Sequence, residues 1–217
     1  MGRTEWDLQG DLQKSWARNG FCVGDDTFFL LGDEVMDNWR KNDPNKEWNS
    51  PSIDFLLADR EGRVWALELK RGRLPPRAAL ELLCQVTMRS AKLQAGLSEG
   101  NLNAVHRWQY GHSDLHRSHQ AFYGLPEPIA TFAADNAIHR MVAAPELGEH
   151  VLGYLPLFEG RPLGDVRMEI EAEQYSRTRQ FKKLYEFDDD LWGTGARTEL
   201  TAIVLADDGT GKVVEAT

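Results

Sequence analysis

Two periods of apolar and polar residues alternate along this chain, and each predicts an element. Within residues 4–19, Trp6, Leu8, Leu12 and Trp16 recur at roughly helical spacing. Residues 28–31, Phe-Phe-Leu-Leu, form an apolar run, and residues 32–39 read either as a turn or two of helix or as a loop. Residues 41–50 are rich in turn formers and predict a loop. Two short apolar runs, 53–58 and 64–70, then flank the charged turn Asp59-Arg60-Glu61-Gly62, which predicts a β-hairpin.

Pro75-Pro76 stands at a helix start, and the strongest helix covers residues 78–94. There Leu80, Leu83, Cys84, Thr87 and Ala91 make one stripe, with Gly96 as the stop. Residues 98–128 are polar, histidine-rich and aromatic, without a clear period. Strands are predicted over 138–143, 151–158 and 166–176, a short helix over 178–185, and a second hairpin over 201–206 and 212–214 around Asp207-Asp208-Gly209. The pattern predicts one α/β or α+β domain over residues 1–217, with a β-rich C-terminal half.

Composition narrows the function classes. The 217 residues are 41% hydrophobic and 27% charged, as expected of a globular chain with a good-sized core. No apolar run approaches the roughly 20 residues that span a bilayer, and the N-terminus has no apolar secretory core. Two cysteines, Cys22 and Cys84, make no disulfide framework, so the expected compartment is a reducing cytoplasm. The net charge of −9 argues against broad, nonspecific nucleic-acid binding. The charge is uneven, however. Residues 60–92 hold eight basic and three acidic side chains, a local +5 in which a polyanion can find purchase.

The same window carries the candidate chemistry. Asp54 lies in the first run of the predicted hairpin, and Glu68 and Lys70 lie two apart in the second. Residues two apart on a strand share a face, so pairing of the runs brings two carboxylates and an ammonium together. The setting is apolar, with Phe55-Leu56-Leu57 after Asp54 and Leu67 and Leu69 around Glu68. A charge in such a strand is expensive unless it is paired or binds a metal. Two carboxylates suit Mg²⁺ or Mn²⁺, and a lysine whose pKa is lowered beside a metal can assist proton transfer to water. Arg71, Arg73, Arg77 and Arg89 are candidates to hold flanking phosphates. The bland alternative is an edge strand with a solvated Glu–Lys pair.

Asp54, followed by Glu68-Leu69-Lys70 and then a helix, resembles the restriction-endonuclease-like nucleases, the PD-(D/E)xK superfamily. The resemblance covers about residues 30–95 and implies a mixed central sheet flanked by helices. It implies Asp54, Glu68 and the backbone carbonyl of Leu69 as metal ligands, with Lys70 orienting or deprotonating the attacking water. It also implies Gln85 on the following helix and Glu34 on an early helix as supporting residues. Arg89 stands where some branches carry a tyrosine, and Pro51 is displaced, three residues before Asp54. The expected activity is metal-dependent phosphodiester hydrolysis, of DNA rather than RNA, with a homodimer or protein partner by analogy. The alternative is a catalytically inactive module of the same fold that works through a protein partner. A third reading makes the trio accidental in a small acidic protein.

Other residues carry less. His112 and His116 are four apart, but the segment reads as solvated or loop. Trp108, Tyr110, Phe122 and Tyr123 read as packing residues before they read as base-stacking ones. Asp188-Asp189-Asp190 reads as a solvated turn or helix start, and Gly193-Thr194-Gly195 lacks the lysine of a phosphate-binding loop.

Overall fold

The computed structural model describes residues 5–36, 52–72, 74–111, 113–158 and 198–214. The loop predicted over 41–50, the strand over 166–176, the helix over 178–185, Asp188-Asp189-Asp190 and the glycines at 193 and 195 lie outside those residues.

Helix α1 (Glu5–Asn19) leads into strands β1 (Phe21–Val23), β2 (Asp26–Met36), β3 (Ser52–Ala58) and β4 (Val64–Leu69). Helices α2 (Pro76–Ala95), α3 (Glu99–Tyr110) and α4 (Leu115–Tyr123) follow. Then come β5 (Ile138–Ala144), α5 (Glu149–Tyr154) with a 3₁₀ turn at Leu155–Leu157, β6 (Leu200–Leu205) and β7 (Gly211–Val214). No described helix is long and apolar enough to cross a membrane.

The seven strands among the described residues close into a mixed barrel in the order β1 to β7. This overturns the expected open, restriction-endonuclease-like sheet. β1 to β4 run antiparallel, β4, β5 and β6 run parallel, and β7 returns antiparallel to β6. Closure comes from β1 and β7, which meet in parallel at Val23 and Gly211. The apolar pattern gives little sign of β1, because three residues, Phe-Cys-Val, are too short to show a period. Closing the wall removes the exposed edges that an open sheet would leave.

Alternate residues on the strands feed two cores. Phe55, Leu57, Trp65, Leu67 and Leu69 belong to one, with Leu12 and Trp16 of α1. Leu56, Ala58, Val64 and Ala66 belong to the other, with Leu82, Leu83 and Val86 of α2 and residues of α3, α4 and α5; Ile53 joins this second core out of the alternation. β4 and β5 are buried along their whole length, as parallel strands covered on both faces must be.

The hairpin of β3 and β4 and the long helix after Pro75 form as the pattern predicts, and Pro76 occupies the first turn of α2, where its missing N–H costs nothing. The predicted strand over 151–158 is instead α5 and its 3₁₀ turn. Glu149 sits in the helix's first turn, and Pro156 could not have donated to a strand ladder.

Gly211 marks the closing seam. A Cβ there would stand 2.5 Å from Ile203 Cγ2 and 2.9 Å from Phe21 Cζ. Gly211→Ala is therefore expected to cost about 1–3 kcal/mol, the usual penalty of forced overpacking. Urea denaturation of the two proteins measures it, and equal stability would show that the seam has slack.

Candidate functional site

Asp54, Glu68 and Lys70 converge where β3 begins and β4 ends. On β4, Trp65, Leu67 and Leu69 belong to one core, while Val64 and Ala66 share the other with α2. By alternation Glu68 and Lys70 take the face of Val64 and Ala66, under α2. The Cα pairing of the hairpin stops at Phe55 and Leu67. One residue beyond, the Asp54 carboxylate accepts a hydrogen bond from the Leu69 backbone N–H at 2.6 Å. The Lys70 N–H donates to the Ala143 carbonyl at 2.8 Å, which carries the β4–β5 ladder one residue further and fixes where the lysine departs.

Glu68 is the hub. Its side chain is 2% exposed, and its Oε1 receives Arg89 Nη1 at 2.6 Å, with Lys70 Nζ 3.7 Å away. Arg89 reaches down from α2 and also donates from Nη1 to the Ser52 carbonyl at 2.7 Å. The guanidinium thus bridges from Glu68 on β4 to the first residue of β3, two positions from Asp54. Burial, and then the nearby Glu68 charge, push the Asp54 carboxyl up to about 8, against the opposing pull of the Leu69 N–H, Lys70 and Arg89. Two carboxylates this close resist joint ionisation unless a cation joins them.

Glu34 lies on β2, not on an early helix. It falls between the pairs Asp33–Phe55 and Val35–Ile53, which sets it beside Asp54 on the neighbouring strand. Its backbone is left-handed, with φ of 45°, a conformation that costs a non-glycine residue of order 1–3 kcal/mol and that concentrates at functional sites. Gln85 is half-buried on α2, one turn before Arg89. Leu69 joins the site through its N–H to Asp54, an engagement that the expected carbonyl role does not include. Arg71 is exposed just past Lys70. Arg73 lies outside the described residues, and of Arg77 only the backbone, in the first turn of α2, is described.

The histidines build a lobe around α3 and α4. His106 and His119 are buried and pack on Phe29, and His119 Nε2 lies 2.8 Å from the Asp59 carbonyl. His116 bridges Glu99 and the Ile129 carbonyl, and His112 lies outside the described residues. The expected solvated segment is thus a packed helix pair. Its aromatics concealed that, because polar residues fall between them. Tyr123 hydroxyl donates to the Thr27 carbonyl, lies 3.0 Å from the Ala58 carbonyl and accepts from the Phe29 N–H, a packing role and not a stacking platform.

Among the described residues no group of three or more His, Cys, Asp and Glu is placed to hold a metal. The acid pair nonetheless fits a hard dication by its chemistry: two carboxylates, mutually repelling and flanked by backbone, supply the oxygens that Mg²⁺ prefers while it retains several waters. A cavity of about 400 Å³ lies elsewhere, at the far turn of the same hairpin. It is lined by Asp25, Asp26, Phe28, Asp59, Trp65 and Glu199 among others, and includes none of the acid-pair residues.

No family model, no curated protein and no solved structure matches this chain. Its function must therefore be argued from the site.

Proposed function

We propose that this chain is a divalent-metal-dependent phosphodiester hydrolase acting on DNA. The observation that carries the proposal is the meeting of Asp54, Glu68 and Lys70 at the start of β3 and the end of β4. The support is the chemistry of these side chains and the resemblance of their spacing to the PD-(D/E)xK nucleases; the barrel itself lends none.

Hydrolysis of a phosphodiester needs negative charge neutralised at phosphorus and a water made nucleophilic. A bound Mg²⁺ or Mn²⁺ supplies both effects. Asp54 and Glu68 are the residues that would hold it. Lys70, whose Nζ lies 3.7 Å from Glu68 Oε1, would orient the water as an ammonium and could take its proton only as the neutral amine. Arg71, exposed at the rim, can meet a phosphate of the bound strand. The preference for DNA comes from the resemblance alone.

Purified protein is expected to cut DNA when Mn²⁺ or Mg²⁺ is added and to stop on chelation. Lys70→Met is expected to slow cleavage by about 100-fold or more, the usual scale of a lost general acid or base. Linear, circular and single-stranded DNA and RNA form the panel. Cleavage that persists in chelator, or at full rate without the lysine, counts against the proposal.

One observation favours a second reading. Glu68 already has a guanidinium and an ammonium beside it, as a noncatalytic binding module would have. Such a module would bind no Mn²⁺ at Asp54 and Glu68 at any pH.

A further inference from the structure

From the contacts around Glu68 we infer that Arg89 is the positioning residue that controls metal entry: its guanidinium is the cation paired with Glu68, and that pairing would have to give way for Asp54 and Glu68 to hold a metal. The inference rests on the metal-dependent reading above and names the group that sets its affinity.

Three observations carry it. First, Arg89 Nη1 lies 2.6 Å from Glu68 Oε1, a charge-assisted hydrogen bond, whereas Lys70 stands off at 3.7 Å. The arginine is therefore the cation in closest contact with the carboxylate that would hold a metal. Second, the guanidinium ties Glu68 to the start of the strand that carries Asp54. The same Nη1 donates to the Ser52 carbonyl at 2.7 Å, so the group bridges β4 and the start of β3, with Asp54 two residues along that strand. The Arg89 side chain is only 17% exposed and Glu68 2%, so the contact is shielded from solvent and salt. Third, Arg89 in this pose is incompletely satisfied. Its Nε is buried and has no hydrogen-bond partner among the described residues. A buried donor without an acceptor is costly, which lowers the cost of moving the group away.

The arrangement makes chemical sense for two acids buried side by side. Without a cation, one carboxylate would have to stay protonated or the strand ends would splay. Arg89 pairs with Glu68 and holds its carboxylate aimed toward α2. Once displaced, the guanidinium sits at the rim of the site, where its planar fork suits a phosphate. The cost of displacement is that of one hydrogen bond to a charged group, equivalent to roughly 10- to 100-fold in metal affinity.

The test is binding of Mn²⁺ alone, followed by the paramagnetic signal of free Mn²⁺ at pH 8. Arg89→Gln is expected to bind Mn²⁺ roughly 10- to 100-fold tighter than the unmodified protein, and the double variant Arg89→Gln/Glu68→Gln is expected to lose that gain. Tighter binding that vanishes with Glu68 supports the inference. Equal or weaker binding by a folded Arg89→Gln, while the unmodified protein binds and Asp54→Asn does not, overturns it and leaves the metal site standing. Absence of binding in every folded protein removes both. The unmodified chain gives a second measure that needs no variant. With ¹³C-labelled arginine, the Arg89 Cζ resonance is expected to move as Mg²⁺ is added. A resonance that stays fixed while Mg²⁺ binds overturns the inference even if Arg89→Gln does not fold.

Discussion

Asp54→Asn is expected to reduce metal-dependent cleavage by about 1000-fold or more and, above pH 8, to raise the stability of the metal-free protein. The loss follows from removing one of two anionic ligands, worth several kcal/mol of transition-state stabilisation. The gain follows from linkage. In the unfolded chain the Asp54 carboxyl ionises near its ordinary value of 3.8, and in the fold only at about 8. Between those values the folded state binds the extra proton, so stability falls as pH rises from about 4 and levels off beyond about 8. Asparagine cannot ionise, and its side-chain oxygen can still accept the Leu69 N–H. The variant should therefore lack that descent, and its advantage should be greatest above pH 8. Added Mg²⁺ should raise the melting temperature of the unmodified protein at that pH but not that of the variant. Thermal melts at pH 4, 6 and 8.5, with and without Mg²⁺, decide the matter. Parallel pH profiles in the two proteins would mean that Asp54 is ordinarily ionised and the site differently built.

The second large effect concerns the fold. Trp16→Ala is expected to lower stability by about 3–5 kcal/mol, the range for deleting a buried aromatic, and the melting temperature by roughly 10 °C. Trp16 is 2% exposed and stacks at 4.2 Å on Phe21 and edge-on at 4.7 Å on Phe55. Its indole N–H also donates to the Gly209 carbonyl at 3.0 Å. The substitution leaves a cavity beside two aromatic rings and an unpaired buried carbonyl at once. Urea denaturation gives the value. A loss under about 1 kcal/mol would show that α1 is an accessory to the core and not part of it.

The parts legible in the sequence share one property: a local period. The 53–58 and 64–70 runs and the stripe after Pro75 show it, so the hairpin, α2 and the shared face of Glu68 and Lys70 could be read directly. Barrel closure could not. It depends on β1, three residues long, meeting a strand near the far end of the chain, and no local pattern encodes a partner at that distance. α5 was hidden because Val151, Leu152 and Tyr154 suit either element over so short a run. Arg89 was legible as a basic residue of the right helix, but its partner was not. That the guanidinium would turn inward to Glu68 follows from the crossing of α2 over β4, a tertiary fact. Glu34 shows the opposite failure. The residue was singled out, but its strand and its left-handed backbone arise from pairing with β3, which overrides the helical character of its neighbours.

The indole of Trp16 and the carbonyl of Gly209 are 193 positions apart, and the β1–β7 seam lies beside them. During synthesis α1 and β1 find β2 and Phe55 soon after they emerge, but β7 and the Gly209 carbonyl follow much later. The nascent chain therefore passes through a stage in which the outer edge of β1 is bare, the kind of surface that other chains adhere to. Closure of this wall is a late and slow event, because it joins segments far apart in sequence.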